Sequence, residues 1–208
     1  MMRDKKLHRL LLLSLLGVFA WSYIDSYDRY DWWLQAAPVI MGLLLLLFTY
    51  RRFPFTRLSY ILMWAFAVLL LIGAHYTYTD PLFCWIRDTL GLKRNNFDRL
   101  SHLAQGFVPA IMTREFLLRK TSLLPGKMLF FLVVSVCLAA SAFYEFLEWW
   151  AALLTNTTAH TFLGTQGDVW DTQWDMFCCF LGAIASQLLL ARIHDRELAQ
   201  LREANVKR

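Results

Sequence analysis

The stretch KMLFFLVVSVCLAASAFYEFLEWWA, residues 127–151, decides the class of fold. A bilayer core about 30 Å thick needs roughly 20 mostly apolar residues in a helix rising about 1.5 Å per residue. No charged residue interrupts 128–138, and the stretch then closes on Glu145, Glu148 and the pair Trp149-Trp150. Aromatic residues of that kind gather at membrane–water boundaries. The stretch reads as a membrane-spanning helix whose acids lie near one end.

Apolar stretches at about 8–24, 33–50, 58–79, 99–118 and 172–192 make six spans with it. The 208 residues are 58% hydrophobic, which leaves little chain for a water-soluble domain. The expectation is an all-α polytopic membrane protein, a six-transmembrane-helix bundle forming a single domain over 1–208. The basic start ahead of residues 10–20 resembles a signal peptide. Trp21-Ser22-Tyr23-Ile24 offers no small-x-small cleavage site, so the segment reads as a retained anchor.

A net charge of +5 could suggest a nucleic-acid partner, but its distribution argues for topology instead. With the N-terminus in the cytoplasm, only Arg29, Arg87, Lys93, Arg94 and Arg99 of the 21 Lys and Arg fall on the outer side. That is a positive-inside bias with both termini cytoplasmic, and no nucleic acid is expected. The exception, the 80–98 connection, reads as a short interfacial helix in which Phe83, Trp85, Ile86 and Leu90 interleave with Arg87 and Asp88. Four cysteines, three of them within spans, read as apolar packing residues rather than disulfide or metal pairs.

The acids and histidines converge on one side of the membrane. Asp98 and His102 are four apart at the start of the fourth span and share a helical face, continued inward by Gln105 and Pro109. Glu145 and Glu148, three apart, share a face with Ser141 a turn deeper. Asp168, Asp171 and Asp175 line one face at the start of the sixth span, above a stripe of Cys178, Gly182 and Ser186. Small residues let helices approach closely in lipid, so that face points into the bundle. His75 ends the third span at the same depth, while His160 and the sequon at Asn156 read as ordinary loop features.

A charged group in the membrane costs at least ~2.5–3.5 kcal/mol on insertion scales, so a convergent set is a functional-site hypothesis. Candidate catalytic residues are Asp98, His102, Glu145, Glu148, Asp171 and Asp175. Candidate ligands for a divalent metal ion are His75, His102, Glu145, Asp168 and Asp175. Oxygen-rich ligation with one or two imidazoles suits Zn, Mn or Mg. Three of the acids also have a plainer reading, Asp98 and Asp168 as helix caps and Glu148 reaching headgroup water, which fits the deeper Glu145 and Asp175 less easily.

The blocks FDRLSH (97–102), YEFLEWW (144–150) and GTQGDVWDTQWDM (164–176) together resemble the YjdF family of bacterial inner-membrane proteins. The order Asp98-x-x-x-His102, a later acid, then Asp171-x-x-x-Asp175 with Gly182 is similar to the VanZ-like superfamily. Where that pattern often carries an Asn, this chain has Asp175. The resemblance implies a multi-pass protein of the bacterial inner membrane, linked to an envelope or glycopeptide response, and supplies no settled reaction.

Three readings of function are open. One is a metal-assisted or acid–base hydrolase or transferase acting at the outer leaflet on a lipid or lipid-linked envelope precursor. There His102, Glu145 and Asp175 hold a metal or water, and Glu148 or Asp171 is the general base. The second is a cation- or small-molecule-binding or transport protein, which needs polar residues through to the inner side. Residues 61–72 and 128–138 of the third and fifth spans carry none that is charged. The third is a structural membrane protein without catalysis.

Overall fold

A computed structural model describes residues 2–76, 81–91, 93–155 and 168–206. All regular structure among the described residues is helical. The helices are α1 (Met2–Tyr23), α2 (Arg29–Thr49), α3 (Arg57–Tyr76), α4 (Pro81–Thr89), α5 (Phe97–Lys120), α6 (Lys127–Thr155) and α7 (Asp171–Val206). His160, the sequon and the glycine-rich lead-in at 164–167 lie outside the described residues.

Among the described residues four helices, α2, α3, α6 and α7, are long and apolar enough to cross a membrane. Helices α1 and α5 have comparable length, 22 and 24 residues, but neither contains a membrane-length stretch as apolar. Several helices outrun the apolar stretches. α7, with 36 residues, measures about 54 Å and projects well past a hydrocarbon core. Backbone hydrogen bonding continues wherever the chain remains a good helix former, whereas hydropathy stops at the first charges. In the 80–98 connection, α4 is short and presents exposed Trp85 and Ile86 beside an Arg87–Asp88 ion pair of 2.7 Å. Gly91, at φ +63°, lies just past its end, in the left-handed region that glycine tolerates.

Two apolar clusters organise the bundle. Leu15 of α1, Trp32, Ala36 and Val39 of α2, and Leu71 and Ala74 of α3 form one. Ser22 ties all three helices together: it accepts from the Trp32 indole N–H at 2.8 Å and donates to the Leu71 carbonyl at 2.6 Å. The second cluster joins Ala110 and Leu118 of α5, Val133 and Cys137 of α6, and Cys179 and Ala183 of α7. The cysteines are free.

The most polar long helix lies at the centre. α5 packs against α3, α6 and α7, which bury Asp98, Ser101, His102, Arg114 and Glu115 away from lipid. Its closest neighbour is α7. A Cβ at Gly106 would overlap the Cys179 backbone carbonyl, and one at Gly182 would overlap the Leu103 carbonyl. The two backbones touch there, as small residues permit in membranes. Pro109 lies inside α5, where neighbouring helices can compensate for its missing N–H.

Candidate functional site: an acid–histidine cluster beside an aromatic-rimmed cleft

Helical spacing brings Asp98 and His102 to one face of α5, Glu145 and Glu148 to one face of α6, and Asp171 and Asp175 to one face of α7. The packing of α5, α6 and α7 makes those faces meet. Asp98, His102, Glu145, Asp171 and Asp175 are all buried, and Glu148 is half-buried. Two trios have ligand atoms lying within 4.8 Å of one another: Asp98–His102–Asp175, and His102–Glu145–Glu148. The sequence-based grouping of His102, Glu145 and Asp175 is thus distributed over two trios that share His102.

The contacts within the cluster are too long to be hydrogen bonds. His102 Nε2 stands 3.6 Å from Asp98 Oδ1, and Nδ1 stands 3.7 Å from Glu145 Oε1. His102 Nδ1, Glu145 Oε1 and Asp175 Oδ1 are all buried without a hydrogen-bond partner among the described residues. Buried polar groups are almost always satisfied, because leaving one unmade costs about 1–3 kcal/mol. Around a four-coordinate ion with bonds of about 2.0–2.2 Å, ligand atoms stand roughly 3.3–3.6 Å apart. The spacing of the cluster is close to that of a ligand set.

A cleft of about 270 Å³ opens beside it, lined by Glu145, Glu148, Asp171 and Asp175 with Phe146 and Trp149. Both aromatics are more than half exposed. The cleft therefore has an acidic floor and an apolar rim, the pairing of surfaces that an amphiphile with a polar head presents.

Asp168 and His75 stand apart from this set. Asp168, ahead of α7, accepts from Trp170 N–H at 3.0 Å and is ion-paired with Arg99 at 2.7 Å and Arg94 at 3.2 Å. The Trp170 N–H, with help from Arg99 and Arg94, holds its carboxyl below the usual aspartate range. His75 joins neither trio: its Nδ1 lies 3.1 Å from the Ser22 carbonyl and its ring packs on Trp21 and Tyr76. Its depth in sequence matched the acids, but its helix face turns toward α1. Arg94 also pairs with Asp171 at 2.6 Å, which gives a purpose to one of the basic residues that broke the charge bias of the sequence.

Sequence reasoning assigned no role to a second polar cluster, near the other end of α5 and α7. Glu115 accepts from Thr56 N–H at 3.0 Å, the Thr56 hydroxyl at 2.8 Å, the Ser59 hydroxyl at 2.7 Å and Arg119 at 2.6 Å. Arg114 can only donate, so at 3.0 Å the His194 Nδ1 accepts and Nε2–H is left to face Glu115 at 3.3 Å. Arg114 also pairs with Asp195 at 2.8 Å. Glu115 and His194 are fully buried, and none of this network's side chains is left without a partner. A usable signal was present in sequence: adjacent Arg114-Glu115 interrupts an apolar span. Apart from Arg119, one turn further on, its partners lie 56 to 81 residues away, which spacing cannot reach.

These features define a polytopic α-helical membrane protein with an unsatisfied acid–histidine cluster at one end of its bundle and a satisfied ionic network at the other. Residues 7–196 match the family described as "Predicted membrane protein (DUF2238)", and the chain belongs to it. Inner membrane protein YjdF of Escherichia coli (strain K12) is 46% identical over 187 residues, covering 89% of this chain and 90% of that protein. With that kinship and its membrane-length helices, the chain is an inner-membrane protein. No solved structure matches it.

Proposed function

We propose that this protein is a divalent-cation-dependent hydrolase or transferase acting at the outer leaflet on the polar head of a lipid or lipid-linked envelope precursor. In this reading α1, α2, α3, α5, α6 and α7 all cross the membrane, with both termini cytoplasmic. α1 crosses because its charges, Lys5, Lys6 and Arg9 among them, lie in its first turns ahead of the apolar run, and α5 because α3, α6 and α7 shield its polar face. The single observation that carries the reading is the set of buried, unpartnered atoms, His102 Nδ1, Glu145 Oε1 and Asp175 Oδ1, gathered beside an open cleft. The described residues hold no Lys or Arg in ion-pairing distance of Glu145, Glu148 or Asp175, so a cation from outside the chain is the natural counter-charge. A bound divalent ion would supply Lewis acidity and, if it is Zn, a water ionised near neutral pH. Glu148 and Asp171 line the cleft, in reach of a substrate, and either can act as the general base. The VanZ-like likeness belongs to the same proposal.

Transport is the rival reading, and the network around Glu115 and His194 favours it by placing polar groups near both ends of α5 and α7. Between the two clusters, however, the α5 and α7 backbones touch at Gly106 and Gly182, flanked by buried Ala110, Ile111 and Ala183. A one-sided site fits that dry contact better than a continuous path. Elemental analysis of purified protein, wild type beside His102→Ala, tests the reading. Stoichiometric Zn, Mn or Mg in the wild type and its loss in the variant are expected. Metal-free wild-type protein that takes up no divalent ion on titration overturns it.

A further inference from the structure

We infer that the substrate is an aminolipid, whose head brings an ammonium group to Asp175 and Thr172 on the α7 wall of the cleft. The inference rests on the cation reading above and deepens it by naming the chemistry of the head.

The His102 ring decides where the ion belongs. A neutral imidazole has one lone pair, and Nδ1 is the ring nitrogen left buried without a partner, 3.7 Å from Glu145 Oε1. One divalent ion on that edge, within the trio His102–Glu145–Glu148, offsets the charge of both glutamates. Asp175 lies outside that trio. It is 3% exposed, lines the cleft, and has Oδ1 buried without a hydrogen bond.

The nearby bases are committed elsewhere. Arg94 pairs with Asp168 and Asp171, and Arg99 pairs with Asp168 while its guanidinium lies over the Trp174 ring. With the ion in place, Asp175 is the carboxylate of the cleft wall that still lacks a counter-charge. A buried carboxylate is held in its charged form by a neighbouring cation and by hydrogen bonds, and an ammonium supplies both. Its single charge matches that of Asp175, whereas a second divalent ion exceeds it and finds no second imidazole lone pair. Thr172, three residues before Asp175 on the same helix face, also lines the cleft, and its hydroxyl can accept another ammonium N–H.

The rim points to a lipid as the carrier of that amine. Phe146 and Trp149, three apart on α6 and 52% and 55% exposed, border the cleft on its bilayer side in the proposed topology. A head that enters past them brings apolar chains to their faces, and aromatic faces also attract ammonium groups. A head whose only charge is phosphate meets a wall of carboxylates instead, with Arg94 already bound to Asp171.

Native mass spectrometry of the full-length protein in detergent, loaded with the divalent ion it takes up, tests this. Dioleoyl phosphatidylethanolamine competes at equal concentration with its N-acetyl derivative, which keeps the chains and phosphate but has no charged amine. Wild type should favour the free amine by roughly tenfold or more, the scale of a hydrogen bond to a charged group. Asp175→Asn should abolish the preference. Asp168→Asn, which removes an equal charge from a carboxylate outside the cleft wall, should keep it. Wild-type helical circular dichroism shows that each variant has folded, and Asp175→Ser replaces Asp175→Asn if the latter fails that check. Metal-loaded wild type without the preference, its persistence in the Asp175 variant, or its loss in Asp168→Asn overturns the ammonium head and leaves the cation reading standing. Displacement of the lipid by equimolar soluble phosphoethanolamine overturns the lipid as carrier. Elemental analysis of the same samples counts the metal, and protein that takes up none overturns the cation reading and this inference with it.

Discussion

Replacing one acid from each polar cluster separates stability from function. Glu115→Ala removes the acceptor shared by Thr56, Ser59, Arg119 and His194. Some of these recover. The Thr56 and Ser59 hydroxyls, 2.9 Å apart, can bond to each other. His194 keeps Arg114, and Arg119 keeps the Pro54 carbonyl and partial access to solvent. The Thr56 N–H and the buried His194 Nε2–H do not recover, and an unmade buried donor costs about 1–3 kcal/mol. Adding the uncompensated Arg119 charge brings the loss to the roughly 3–5 kcal/mol typical of a broken buried ion pair. For a chain of this size about 2–4 °C accompanies each kcal/mol, so the midpoint should fall by roughly 6–20 °C. Glu145→Gln, by contrast, removes a charge whose Oε1 has no partner to lose. Its midpoint in chelator-treated protein should stay within about 3 °C of wild type, and Glu145→Leu should be neutral or stabilising. Thermal unfolding in detergent, followed by tryptophan fluorescence with chelator present, measures both. A fall of less than about 3 °C for Glu115→Ala, or one of 6 °C or more for Glu145→Gln, refutes the division into a structural and a functional cluster.

Other outcomes follow from single contacts. Gly182→Val should separate α5 from α7, since even a Cβ meets the Leu103 carbonyl; a loss of cross-linking between cysteines introduced on facing positions reports it. Arg94→Met leaves the buried Asp171 carboxylate without its 2.6 Å partner and should destabilise the metal-stripped protein by about 3–5 kcal/mol in the same unfolding assay. Ser22→Ala strands the Trp32 indole N–H and should cost about 1–3 kcal/mol, with a shift in tryptophan emission. Reporters active in one compartment only, fused after Pro54, Ser122, His160 and Arg208, should report cytoplasm at all but His160. A periplasmic signal after Arg208 overturns the proposed topology.

The sequence by itself determined the membrane class, most helix positions and the faces on which the acids lie. Those follow from local rules: apolar length against bilayer thickness, and three- or four-residue spacing on a helix, which puts Asp98 with His102 and Glu145 with Glu148 whatever the rest of the chain does. It also limited α5 to residues 99–118, because hydropathy measures the chain alone and Asp98 and Lys120 lie outside an apolar window. Only the tertiary structure decided that this charged helix is central, since shielding by α3, α6 and α7 is a property of neighbours rather than of α5. The same packing separated His75 from acids at its own depth, paired Arg94 with Asp171, and joined Glu115 to Thr56 and His194 across the chain. Whether a buried acid is satisfied or waiting for a cation depends on donors that arrive from distant helices, and no spacing within one helix encodes that.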